Sequence, residues 1–402
     1  MGEFARFSVR KIRHPGGRVS HWIVDANSEV HRRSLDVLKR YGPGTQATYA
    51  YGLADHLNWA AANGKTPDRV TLDDLLRYMN GLTGAAEDVY GIAWRRADQL
   101  PLGPSAANNV ATIVKAYYLC VAAKSPQAVH PTLIEGLGAT SATVRGRRTA
   151  ANPLSPRKPA RRPRYLSDQV VAALYEPGVL LTARDVMIVT WLHDGGFRVG
   201  GLCGLRFSDL HLKRHHPCGQ RADPHVHLVS RDDNPNGARA KSRFVSGARL
   251  SADGHVVDGV IRAVSPDMVS TFYAYLLDEY HPVQYAVTHE QVLIHTQGTT
   301  VGAALTTAGI RKMLRRACGR AAIDVRVTPH SFRHKAAAAF YVASDFNADM
   351  VAQEFGWASP EMVTDLYGKS ANRHAITFLK QAWEATARPP VDAHLKESRD
   401  EW

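Results

Sequence analysis

The chain has 402 residues, with 50 Lys and Arg against 37 Asp and Glu, and its formal net charge of +13 points to a polyanionic partner. An apolar fraction of 45% is enough for more than one packed domain and excludes wholesale disorder. No apolar run approaches the length of a spanning helix, MGEFARFSVRKIRH lacks the apolar core of a signal peptide, and Cys120, Cys203, Cys218 and Cys318 stand without paired spacing; no membrane partner, export or disulfide framework is expected. The cysteines read as buried or free thiols of a reducing cytoplasm, and nucleic acid is the better partner for the charge than a membrane surface.

Residues 1–27 read as a basic, irregular segment. From Ser28 the pattern turns helical: SEVHRRSLDVLKRYG stops at Gly42, and TQATYAYGLADHLNWAAANG is apolar at Tyr49, Leu53, Leu57 and Trp59 and ends at Gly64. VTLDDLLRYMNGL predicts a third helix with Thr71 as N-cap and two Asp in its first turn, where they suit the helix dipole. SAANNVATIVKAYYLCVAA, after Pro104, predicts a fourth. Residues 28–143 thus read as a small helical bundle.

Between Val144 and Tyr165 the composition changes. VRGRRTAANPLSPRKPARRPRY holds Arg145, Arg147, Arg148, Arg157, Lys158, Arg161, Arg162 and Arg164 with four Pro and no acid. Such a stretch cannot bury enough apolar surface to fold alone and reads as a linker, 144–165. A linker that also lies along phosphates, so that the flanking domains clamp a duplex, is compatible with that reading. A second domain is expected over 166–388, with a tail at 389–402.

In WLHDGGFRVGGLCGLRFSDLHL, helix-compatible apolar residues lead to Gly195–Gly196, and Arg198 opens a short helix that ends before Ser208–Asp209. Farther on, His225–Ser230 alternates as a strand, Asn234-Pro-Asn-Gly signals a turn, and ARAKSRFVSG is expected to return as the paired strand. Arg239, Lys241, Arg243 and Arg249 put several cations on that segment. SGARLSADGHVVDGV reads as an inserted hairpin or loop. His211, His215, His216, Cys218, His225 and His227 are ligand types, yet their spacing fits no standard zinc finger, so a surface-exposed histidine-rich loop without metal is expected.

The stretch from Thr328 to Lys369 carries the chemistry. His330 and Arg333, three residues apart, share a helix face. An apolar run follows, then a second short helix, the pair Gly356–Trp357, and Tyr367. The order and spacing resemble the C-terminal signature of the tyrosine recombinases, the phage-integrase family: His-x-x-Arg, Gly-His or Gly-Trp, then a nucleophilic Tyr. The run around Arg198 resembles the family's first arginine box, although Gly201 stands where the family often has Glu, which leaves the orienting partner of Arg198 open. The family's β-hairpin lysine maps onto Lys241, with Arg239 or Arg243 as the alternatives. The N-terminal helices resemble the family's core-binding domain.

The resemblance implies a fold that is mainly α with a small β-sheet: an N-terminal helical bundle (core-binding domain) plus an α+β tyrosine-recombinase catalytic domain. It implies a site-specific DNA recombinase whose catalytic set is Tyr367, Arg198, Lys241, His330, Arg333 and Trp357. The guanidiniums hold phosphate oxygens, His330 and Trp357 add donors, Lys241 protonates the leaving 5′-oxygen, and Tyr367 attacks to give a 3′-phosphotyrosine, with His330 as a relay for its proton. No carboxylate cluster is placed for two metal ions, and no cofactor is expected. The expected DNA contacts are the linker cations with Arg239 and Arg243. Four protomers on two double-stranded DNA duplexes are implied, with a C-terminal helix (apolar at Ala375, Ile376, Leu379, Ala382 and Trp383) either packed on its own domain or exchanged between protomers. A cytoplasmic, nucleoid-associated prokaryotic setting is expected. A type IB topoisomerase and a non-catalytic DNA-binding protein with a decayed site are the alternatives.

Neutralising Arg157, Lys158, Arg161, Arg162 and Arg164 together is expected to weaken DNA binding on every sequence. Binding titrations across a salt series should then flatten by roughly 0.9 in slope per lost phosphate contact. An unchanged slope would leave a linker that only connects.

Overall fold

The computed structural model describes residues 7–15, 19–84, 94, 100–138, 152–156, 166–241, 249–357 and 359–367, together with the backbone of 141–144 and 147–150. The chain divides into two compact units, Met1–Arg161 and Arg162–Trp402.

The first unit opens with an antiparallel hairpin of β1 (Ser8–Arg13) and β2 (Val19–Val24), where the sequence pattern reads as irregular. The basic residues of β1 interrupt its apolar alternation, and the hairpin is held from outside itself. Ile23 is fully buried in the helical core, and the Asn58 amide donates to the Phe7 carbonyl at 3.0 Å while its oxygen accepts the Phe7 N–H at 2.6 Å. The bundle follows as expected: α1 (Arg32–Leu38), α2 (Pro43–Ala62), α3 (Leu72–Thr83) and α4 (Pro104–Lys124), with α5 (Pro131–Gly138) added. Thr71 caps α3 as its position predicts. Its hydroxyl accepts the Asp74 N–H at 3.2 Å, and the Asp74 carboxylate accepts the Thr71 N–H at 3.0 Å, which satisfies two otherwise orphaned donors. His56 is buried inside the bundle 3.0 Å from the Tyr118 hydroxyl, and burial pushes its pKa down to about 3, so it packs as a neutral ring.

The stretch read as linker begins as ordered chain. β3 (Ser141–Val144) pairs antiparallel with β4 (Arg147–Ala150), which carries Arg147 and Arg148, and Leu154 is buried in the first unit's core. Arg145, Arg157, Lys158, Arg161, Arg162 and Arg164 lie outside the described residues.

The second unit contains α6 (Asp168–Leu174), α7 (Ala183–Asp194) and α8 (Val199–Cys203), then an antiparallel sheet ordered β5 (Leu210–His211), β6 (His225–Leu228), β7 (Val260–Ala263). After it come α9 (Pro266–Tyr275), α10 (Thr307–Arg320), α11 (Pro329–Ala343), α12 (Ala348–Phe355) and a last helical segment, 360–367. The main core forms around Trp191, whose indole N–H donates to the Met268 carbonyl at 2.8 Å and joins α7 to α9. A separate small core unites α11, α12 and 360–367 through Ala337, Tyr341, Val351, Phe355, Val363 and Tyr367. The architecture is mainly helical with small antiparallel sheets, as expected.

One strand differs from expectation. β6 pairs with β5 and β7, and the chain from 231 to 241, read as the run into a returning strand, is irregular. The turn asparagines explain the course. Asn236 donates to the Cys203 carbonyl at 3.0 Å and to the Leu305 carbonyl at 2.6 Å, and Asn234 donates to Ala238 at 2.8 Å, so the segment is drawn across the end of α8 rather than along β6. The inserted hairpin closes with Leu250 opposite Val256.

Candidate active site

The site is built on the carbonyl end of α12. A helix C-terminus leaves its last carbonyls without intrahelical donors and carries partial negative charge. Here three guanidiniums supply the donors. Arg262, from β7, donates to the carbonyls of Glu354 and Gly195. Arg333, from α11, donates to Phe355 and, at 2.9 Å, to Gly196. Arg198, the N-cap of α8, donates to Gly356 at 3.1 Å. These bonds stitch the Gly195–Gly196 turn to α12. Gly196 sits at φ +56, and a Cβ there would lie 2.6 Å from the Phe355 ring, so a side chain is excluded twice over.

The carbonyl of Gly356 also answers the absence of an acid at Gly201: Arg198 is oriented by backbone, not by a carboxylate. Arg333 and Arg262 are 3% and 5% exposed. Burial, then the charges of Arg198 and Arg262, push Arg333 down to about 9, while burial, opposed by Glu354, takes Arg262 to about 10. Both remain cations at neutral pH. Arg262 was not legible in the sequence, because one Arg on a short strand carries no signal of its own.

Arg198, Lys241 and Arg333 line one cleft, floored by Phe355 and Gly356 and edged by Glu354. Lys241 is exposed at its rim. Its backbone approaches because residue 200 is glycine: a Cβ there would fall 2.4 Å from the Arg239 carbonyl oxygen. Arg239 pairs with Asp232 at 2.5 Å, and Arg243 lies outside the described residues. His330 is exposed at the cleft, its pKa lowered first by partial burial and then by Arg333, Arg198 and Lys241. Trp357 is half-buried with its ring 5.0 Å from the Arg333 guanidinium and 5.7 Å from the Tyr367 ring.

Tyr367 is fully buried, and its hydroxyl lies 2.7 Å from His334 Nδ1. The ring that lies between His330 and the phenol is therefore His334, edge-on to His330 at 4.2 Å centre to centre, where the sequence reading gave His330 the phenol's proton. Burial, then His330 and Arg333, push His334 down to about 4, so it is neutral and can accept. The sequence held a signal for it: His334 follows His330 by four residues and shares its helix face.

The histidine-rich segment is only partly surface-exposed, with His215 exposed and His216 half-buried. His211, His225 and His227 are fully buried and Cys218 is 7% exposed. His211 and His225 are paired residues on adjacent strands, and His225 and His227 are two apart on β6, so the pleat turns all three to one face.

Residues 267–374 match the phage integrase family. The matched span, about a quarter of the chain, contains His330, Arg333, Trp357 and Tyr367, whereas Arg198 and Lys241 precede it. Transposase A from transposon Tn554 of Staphylococcus aureus is 25% identical over 186 residues, 46% of this chain and 44% of the transposase, so the chain spans under half the length of the curated relatives it matches. The XerH site-specific recombinase bound to palindromic difH substrate, a post-cleavage complex, aligns over 86% of this chain and 82% of its own at 13% identity and a TM-score of 0.53. The Tn1549 transposon integrase in complex with transposon right end DNA aligns over 86% and 99% at 12% identity and a TM-score of 0.52. These likenesses establish the tyrosine-recombinase fold. No helix among the described residues is long and apolar enough to cross a membrane.

Adjacent glycines of α8 should respond oppositely to one methyl group. Gly200→Ala forces backbone apart and is expected to destabilise the chain by about 1–3 kcal/mol. At Gly201 the nearest atom to a Cβ is a Leu228 methyl at 3.5 Å, an ordinary contact. Gly201→Ala should be neutral or stabilising by up to about 1 kcal/mol through helix propensity. Urea unfolding of the two variants measures both; equal losses would mean that residue 200 does not carry the close approach.

Proposed function

We propose that the chain is a site-specific DNA recombinase that cuts and rejoins strands through a 3′-phosphotyrosine on Tyr367. The observation that carries this reading is the convergence of Arg198, Lys241 and Arg333 on one cleft beside a phenol already bonded to an imidazole. A DNA phosphodiester repels nucleophiles by its negative charge. Two guanidiniums fixed by backbone carbonyls offer their remaining N–H groups to the non-bridging oxygens, and they need no rearrangement as charge grows in the transition state. His330 and the Trp357 indole add donors at the same phosphate. The phenol oxygen of Tyr367 attacks phosphorus, its proton passes to His334 Nδ1, and the bond to the 5′-oxygen breaks as Lys241 supplies that oxygen with a proton. The phosphotyrosine conserves the energy of the broken bond, so a 5′-hydroxyl from a second duplex can reverse the step without an energy source.

On this reading the partner is double-stranded DNA, engaged as two duplexes by four protomers that exchange a C-terminal helix; the residues of that helix, 375–383, lie outside the described residues. The tyrosine-recombinase fold and the phage integrase family match support it, as does the Tn554 transposase similarity. Because Tyr367 is buried, attack requires segment 360–367 to leave its core.

Tyr367→Phe removes only the nucleophilic oxygen and is expected to retain DNA affinity while abolishing the SDS-stable protein–DNA adduct. An adduct formed by the Phe variant would move the nucleophile elsewhere, Tyr341 first. Joining of two duplexes by the unaltered chain separates recombination from topoisomerase action, which reseals a single one.

Lys241→Ala should be slow on ordinary DNA and much less impaired on a substrate with sulfur at the 5′-bridging position, since a thiolate leaves without a proton. Equal impairment on both substrates removes Lys241 as the acid and passes the test to Arg239 and Arg243.

A further inference from the structure

A second cluster of side chains stands apart from the chemistry above. His211 on β5, Cys218 in the β5–β6 loop, and His225 and His227 on β6 turn one potential ligand atom each toward a common centre, all within 4.8 Å of one another. His211 Nδ1 and Cys218 Sγ are each 3.2 Å from His225 Nε2. The ring centres of His211, His225 and His227 are separated by 4.5, 5.0 and 5.2 Å.

The outward nitrogens settle which inward ones carry protons. His225 Nδ1 lies 2.7 Å from the Asp223 carbonyl, His227 Nδ1 lies 2.6 Å from the Asp258 carbonyl, and His211 Nε2 lies 3.3 Å from the Ser208 carbonyl. A carbonyl only accepts, so each of these nitrogens donates, and the inward nitrogen of each neutral ring is a bare lone pair. His227 Nε2 is buried and has no hydrogen-bond partner among the described residues. Three lone pairs and one thiol thus meet in a buried space with a single weakly donated proton among them. Buried acceptors left without donors are costly, and close lone pairs repel. A cation at the centre removes both penalties.

We propose that His211, Cys218, His225 and His227 form a tetrahedral zinc site. Three imidazoles and one thiolate are a borderline-soft donor set that suits Zn(II), and the carbonyls behind each ring supply the outer shell that fixes tautomer and orientation. Binding converts the Cys218 thiol to a thiolate and releases its proton to solvent. Ser208, Asp223 and Asp258 stand just before or at the approach to β5, β6 and β7, so the ion ties the entry to all three strands. Leu228, at the other end of β6, lines the cleft that holds Arg198 and Lys241. The site is therefore structural, a staple behind the catalytic cleft. His216, stacked 3.8 Å from His211, and His255 offer a second grouping with His211, but that set lacks a thiolate and must share His211.

The test is reconstitution of the full-length, chelator-treated chain with Co(II). One equivalent per chain should bind, with the intense visible bands of tetrahedral coordination and a near-ultraviolet thiolate charge-transfer band, and Zn(II) should displace it. Cys218→Ser should lose the charge-transfer band and weaken Zn(II) by at least roughly tenfold, the lower bound seen for removing even a supporting group. His216→Ala should keep the spectrum. Should Cys218→Ser fail to fold, the charge-transfer band and stoichiometry of the unaltered chain decide. Absence of stoichiometric Co(II) binding overturns the site, and binding without a thiolate band, or a band lost in His216→Ala, overturns the ligand set. None of these readings depends on DNA cleavage.

Discussion

Three guanidiniums share the carbonyl end of one short helix, and the geometry of the cleft depends on that arrangement. Arg198, Arg262 and Arg333 would repel one another if brought together bare. The last carbonyls of α12 and those of Gly195 and Gly196 accept from all three, and the partial negative charge of the helix terminus lies where the positive charge gathers. Glu354 adds a carboxylate oxygen 3.3 Å from Arg262, and the Phe355 ring lies 4.5 Å beneath the same guanidinium. Removing Arg262 or Arg333 would strand a buried carbonyl, a loss larger than the bond's net worth. The arginines are thus held by backbone, which cannot rotate away, and Arg198 and Arg333 line the cleft.

That construction explains what could be read from sequence and what could not. Local signals carried the helices: Thr71 with two Asp in the first turn of α3, and Pro104 at the start of α4, mark ends that tertiary structure leaves in place. The spacing of His330, Arg333, Gly356, Trp357 and Tyr367 carried the family. Contacts between distant residues did not announce themselves. Arg262 matters because of carbonyls at 195 and 354, and neither partner is visible at the level of residue type. The hairpin of β1 and β2 depends on Ile23 meeting the bundle and on Asn58, far along the chain. The turn asparagines at 234 and 236 look like hairpin residues, yet their amides reach Cys203 and Leu305 and divert the strand. The burial of His211, His225 and His227 was missed for the same reason: their irregular spacing fits no finger, but β-pairing, not spacing, brings their rings together.

The arginines and the tyrosine are held in different ways, and the difference bears on control. The cations are tied to backbone carbonyls of the Gly195–Gly196 turn and of the end of α12. Tyr367 belongs to the small core of α11, α12 and 360–367, where Val363 and Tyr367 are the segment's two fully buried anchors. Burying one such side chain contributes about 1.5–3 kcal/mol, so the segment is held by only a few kcal/mol before the chain entropy of ordering it is counted against that. A ligand that binds the released form better by that margin shifts the balance, and no rearrangement of the arginine cradle is needed. On the proposed chemistry, electrostatic stabilisation would be present before DNA arrives, while the nucleophile would be conditional on it. On that chemistry a phenol exposed at all times beside two fixed guanidiniums would attack any phosphodiester that entered; one sheltered in a weak satellite core would attack only where binding opened it.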